Sequence, residues 1–102
     1  MGRKARPKPE FLSEKLLRIR IALGLSQDGI IETMGLTESI TRNRISEYEL
    51  GFEPPLPTLL HYAHLANVYV DVLIDDELDL PAKLPSSERS AGVKRKKRPT
   101  PN

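Results

Sequence analysis

Apolar side chains between Phe11 and Leu23 recur at Leu12, Leu16, Ile19 and Leu23, the spacing of one face of a 3.6-residue helix. Leu17 and Ile21 lie beside that stripe and widen it, and Gly24 is a stop just past it. Ser26 reads as the N-cap of a second helix, with Asp28 in its first turn and Ile30, Ile31 and Met34 on its buried face. Gly35 ends that helix, and Leu36 to Ile40 forms a connector rich in Thr, Glu and Ser. Thr41 caps a third helix running through Leu50, with Ile45 and Tyr48 inward and Gly51 closing it. The Phe52-Glu53-Pro54-Pro55-Leu56-Pro57 run is loop. Pro57 at N1 starts a fourth helix, where Leu59, Leu60, Tyr62, Ala63 and Ala66 alternate with polar positions and Asn67 is the left-handed C-cap. Val68-Tyr69-Val70 is β-prone but has no partner strand, so Val68 reads as a core plug before a short fifth helix over Asp71–Glu77.

The pattern therefore predicts an all-α fold of five helices with no sheet. Pro7 and Pro9 keep the first ten residues extended, and residues past Pro85 lack apolar periodicity, which predicts disorder there. The division is a basic N-terminal arm (1–10), a helical domain (11–80) and a disordered basic C-terminal tail (81–102). Apolar residues make up 38% of the 102, enough for one small core but not for packing from end to end. No apolar run approaches the roughly 20 residues that span a bilayer. With no cysteine, a disulfide framework, a thiolate metal site and a cysteine nucleophile are excluded, and a cytoplasmic location is the expectation.

The overall charge of +2 conceals a segregation. Arg3, Lys4, Arg6 and Lys8 face only Glu10 in the first ten residues, and six bases face only Glu88 between residues 86 and 102. The central segment has six bases and twelve acids. An acidic body with two basic ends is a layout common among nucleic-acid-binding chains. The Lys94-to-Arg98 run is read as a general polyanion tail, with an inert solubilising tail as the bland alternative.

The stretch from Ser26 to Gly51 carries the candidate chemistry. Its third helix opens with Arg42-Asn43-Arg44, side chains able to read base edges: Arg bridges guanine O6 and N7, and Asn pairs with adenine N6 and N7. Arg20-x3-Gly24-Leu25-Ser26-Gln27, Met34-Gly35, Ile45-Ser46-Glu47-Tyr48-Glu49-Leu50-Gly51, Pro57-x-Leu59-Leu60-x-Tyr62-Ala63 and Leu73-Ile74 occur in order. Over residues 11–78 this text resembles the phage-repressor-like helix-turn-helix family of transcriptional regulators. The resemblance implies that Gln27 meets a phosphate at the start of helix two, and that Arg42, Asn43 and Glu47 read bases. It also implies phosphate contacts at Arg44 and Ser46, a capping role for Thr41, and an ion pair between Arg20 and Glu49. Arg3, Lys4 and Arg6 would lie in the minor groove.

Three positions depart from that pattern. The span from Gly35 to Ile45 is longer than the family's, Ile31 stands where the family prefers alanine, and the loop after Gly51 has no base to clamp phosphate. The expected function is sequence-specific binding of double-stranded DNA through helix three. The rival is a protein-interaction module, an adaptor or antitoxin-like partner on the same fold. Dimers are implied by the resemblance. Val70, Leu73, Ile74 and Leu78 either supply the dimer surface or complete the monomer core. No cofactor and no enzymatic activity are expected, because no carboxylates and histidine form a recognisable constellation and there is no phosphate loop. His61 and His64 have a metal-compatible spacing but no third ligand, and the Asp71–Asp79 acids read as a solvated face.

Overall fold

The structure, a computed structural model, describes residues 8–95. Helix α1 spans Leu12–Ala22, α2 Gln27–Met34, α3 Arg42–Glu49, α4 Leu56–Ala66 and α5 Asp71–Ile74. Two short strands follow, β1 (Leu78–Asp79) and β2 (Val93–Lys94). The fold is mainly α, with α3 packed on both α1 and α2, and α4 touching α1, α2 and α5.

One core joins the elements. Leu12, Leu16 and Ile19 of α1 meet Ile30, Ile31 and Met34 of α2, Ile45 and Tyr48 of α3, and Leu59, Tyr62, Ala63 and Ala66 of α4. Val68, Val72, Leu73 and Leu80 close its lower edge. Ile21 and Leu60 differ from the pattern expectation: both are exposed, because the core already fills the sides of α1 and α4 next to them. Lys15 is the converse, a lysine with no exposed surface between Leu12 and Leu16.

Local chemistry sets the helix ends. Ser26 Oγ accepts from the Gly29 N–H at 2.9 Å and so caps α2. Gly35 takes the left-handed conformation (φ 72°) that turns the chain out of α2. The connector then makes one tight turn, with the Ser39 and Ile40 N–H groups both donating to the Leu36 carbonyl. Leu36 and Ile40 pack against the core, so the long connector is pinned at both ends. Asn67 takes the left-handed C-cap of α4 (φ 55°). Pro57 sits at the second helical position rather than the first, because the helix begins at Leu56 after Pro55.

Four expectations are corrected beyond α4. Helix α5 stops at Ile74, not Glu77. Asp75 turns extended (φ −94°, ψ 111°), and its carboxylate accepts the Glu77 N–H in a local turn that competes with helix. Lys15 Nζ donates to the Val72 carbonyl at 2.7 Å and the Asp75 carbonyl at 3.1 Å, satisfying acceptors that the end of α5 leaves open. A small sheet exists: β1 pairs antiparallel with β2, Leu78 opposite Lys94 and Asp79 opposite Val93. Val68 does find a partner, a parallel bridge to Ser90.

Residues 81–95 are consequently held against the body rather than disordered; the rest of the expected tail lies outside the described residues. Their backbone hydrogen bonds are taken up by the body: Ser86 N–H to Ala66 O, Ser90 N–H to Asn67 O, Tyr69 N–H to Ser90 O and Arg95 N–H to Glu77 O, all within 3.0 Å. The Asn67 side chain adds a 2.7 Å bond to the Ser86 carbonyl. Gly92 makes the return possible. It has φ +78°, and a Cβ there would stand 2.6 Å from the Asp79 carbonyl oxygen.

Candidate nucleic-acid interface

Helix α3 is held by one side only. Ile45 and Tyr48 are buried, while Arg42, Asn43 and Arg44 are exposed on its first turn. Among the described residues none hydrogen-bonds the side chains of Arg42 or Asn43, whereas Arg44 Nη1 pairs with Glu47 Oε1 at 2.8 Å one turn on. Both partners of that pair are well exposed, so its strength is a few tenths of a kcal/mol, about 0.3–0.5, and either can be recruited elsewhere. Ser46 is half-buried beside Ile45. Thr41 occupies the N-cap position of α3, but its side chain makes no capping hydrogen bond, so the first N–H groups of α3 have no cap from it.

The base of α3 is fixed by a three-residue cluster. Arg20 Nε reaches Glu49 Oε2 at 2.6 Å and Arg20 Nη2 reaches Glu49 Oε1 at 3.1 Å, a two-pronged pair joining α1 to α3. Arg20 also donates to the Leu25 carbonyl, and Gln27 Nε2 donates to Glu49 Oε1 at 3.2 Å. The hydrogen bonds that Arg20 donates to Glu49 raise the Arg20 pKa above its ordinary value. The Gln27 amide is thus turned towards Glu49 inside the protein. Beneath the cluster, burial pushes the Tyr62 hydroxyl pKa upward, reinforced by the nearby Glu49 charge.

A shallow groove of about 480 Å³ runs between α2 and the front of α3, lined by Asp28, Ile31, Glu32, Thr37, Ile40, Thr41 and Arg42. Ile31 is itself buried in the core, and α2 and α3 remain in contact. No family model, curated protein or solved structure matches this chain.

Arg3, Lys4 and Arg6 lie outside the described residues. Of the apolar residues expected near α5, Leu73 is fully buried and Val70 and Leu78 are half-buried; Ile74 is the one of the four left exposed. Among the described residues no group of His, Asp and Glu is placed to hold a metal, and no helix is long and apolar enough to cross a membrane.

Sequence reading missed the roles of the acids after α5. Asp76 accepts the Glu10 N–H at 2.8 Å and the Phe11 N–H at 3.2 Å, capping the start of α1 from 65 residues away. Asp79 accepts from Arg18 at 2.9 Å and Arg95 at 3.3 Å. Burial pushes Asp79 upward, but the Leu80 N–H and the two guanidiniums outweigh it and hold its carboxyl below the usual range. Spacing along the chain carries no signal for such long-range partners.

Proposed function

We propose that this protein binds double-stranded DNA sequence-specifically and acts as a transcriptional regulator, with α2 and α3 serving as a helix-turn-helix and α3 entering the major groove. One observation carries the reading: Arg42 and Asn43 stand exposed, with no side-chain hydrogen bond among the described residues, on the first turn of a helix whose opposite side is locked into the core. Fixing the helix while leaving its reading side chains uncommitted is the arrangement direct readout requires. Arg44 and Glu47 follow on the same helix, where their weak mutual pair can be exchanged for a phosphate and a cytosine N4. Ser46 and Thr41 flank them as further contacts, and Gln27 would leave Glu49 to reach a phosphate.

The test is selection of bound sites from random duplex DNA, followed by Arg42→Ala, Asn43→Ala and the double variant. Each lost base contact is expected to weaken binding to the selected site by about 1–3 kcal/mol and to relax the sequence preference. A double variant with the parent's preference would rule out readout by α3.

A second reading has its own support. Leu50, Phe52 and Leu56 are 79%, 63% and 77% exposed on and beside the α3–α4 loop. Three large apolar side chains together are unusual on a free surface and suit a protein partner or a second copy of the chain. Under this reading the parent shows no duplex preference, and Phe52→Ser abolishes a protein complex instead.

A further inference from the structure

Helix α4 differs from the three helices before it. Their exposed sides carry charge: Glu14 on α1, Asp28 and Glu32 on α2, Arg42 and Arg44 on α3. Helix α4 lies instead in the longest uncharged stretch of the chain, residues 54–70. Leu59, Tyr62, Ala63 and Ala66 turn its inner side into the core. Its outer side is a single helical stripe, with Leu56, Leu60 and His64 at i, i+4 and i+8 and Pro57 and half-buried His61 beside them. Leu56 is 77% and Leu60 47% exposed. A helix apolar on both sides is ordinarily covered on both, because neither side gains by facing water. Among the described residues nothing covers the outer side of α4.

Charge decides what that cover is. The segment 11–85 holds six bases and twelve acids, so two copies of this body repel one another through their charged faces. The stripe has no carboxylate, ammonium or guanidinium, so a copy approaches it without that penalty. A twofold contact also requires a patch to complement itself. Two antiparallel α4 helices crossing at Leu60 meet that condition: each Leu60 faces its own copy, and each Leu56 faces the second copy's His64. The contact from Leu56 to His64 is about 12 Å long. A charged partner finds no opposite charge on the stripe, and an acidic lipid surface finds no Lys or Arg there.

We infer that the outer side of α4 is a self-association surface, through which two copies of this chain pair about a twofold axis near Leu60. Of the exposed apolar residues on and beside the α3–α4 loop, only Leu56 belongs to it. No α3 side chain belongs to the stripe, so the pairing does not rest on the DNA-binding reading.

The experiment follows the full chain by sedimentation equilibrium from about 1 μM to about 1 mM, a range that brackets the micromolar Kd of a small contact. The mass should rise from the 11.5 kDa of one chain towards twice that value. Leu60→Glu sets two carboxylates against each other on the axis and should weaken pairing by about a hundredfold or more, as should Leu60→Lys with two ammonium groups. Mixing the L60E and L60K chains should restore pairing, as a mixed dimer, to within about tenfold of the parent. Leu56→Ser changes a more exposed position, should weaken pairing about tenfold, and serves if a Leu60 variant does not fold. A parent that stays a single chain throughout the range overturns the inference, whatever else it binds. So does a dimer indifferent to L60E and L56S, including one that Phe52→Ser dissociates instead. Failure of the L60E and L60K mixture to pair takes Leu60 off the axis and overturns it as well. Pairing through α4 without any duplex preference upholds this inference and sinks readout by α3; a single chain that reads duplex does the reverse.

Discussion

At the scale of single residues, Arg20 and Glu49 decide how firmly α3 is seated. Their side chains are only 17% and 9% exposed, and Glu49 also serves the Gln27 amide. Glu49→Ala removes the acceptor for both and leaves a guanidinium poorly solvated. A loss of about 2–4 kcal/mol in unfolding free energy is expected, between the figures for exposed and buried pairs. Urea denaturation checks it, and a loss below half of that would mean solvent replaces the carboxylate freely. This pair was legible because both residues sit in motifs with a family resemblance. Lys15 was not. It falls at i+3 from Leu12 and i−4 from Ile19, on the apolar stripe by angle, yet a charged residue there is ordinarily read as a surface position. Only the Val72 and Asp75 carbonyls, nearly sixty residues on, account for its burial.

At the scale of elements, α1 to α4 were legible because each has several apolar positions at helical spacing and a recognisable stop. The two-residue strands β1 and β2 were not, since two residues are too few to show alternation. What signals the return of the chain is Gly92, and a glycine in a polar run is ambiguous in sequence. Its positive φ and the 2.6 Å approach to the Asp79 carbonyl make it a specific test. Gly92→Ala is expected to cost about 1–3 kcal/mol through backbone strain, and the alanine methyl must also displace Val72 or the β1 backbone. Amide exchange localises the effect. The Arg95 and Tyr69 N–H groups, bonded to Glu77 and Ser90, should lose protection, while those of α2 and α3 keep theirs. Equal protection at Arg95 in parent and variant would mean that the tail docks without help from this turn.

At the scale of the whole molecule, the groups with displaced pKa values fall on opposite limbs of the stability profile. Asp79 is held below 3.8, so its contribution is complete above that pH and is lost as pH falls through its lower folded value. Lys15 is lowered from 10.5, by burial first and by Arg95 second, against the pull of Asp76, Asp79 and Asp75. Between its folded value and 10.5 the unfolded chain binds the proton more strongly, so stability rises as pH climbs through that window. Tyr62 and Tyr48 are raised from 10.0 by burial, so above that pH the unfolded chain loses its protons first and stability falls again. Urea unfolding at stepped pH should therefore show a loss in acid, an alkaline rise and a decline beyond about pH 10. Lys15→Met should remove the alkaline rise and leave the acid limb unchanged. If parent and variant run parallel throughout, the buried ammonium is already solvated in the folded state. The contact by which Lys15 seats α5 on α1 would then be looser than its 2.7 Å length requires.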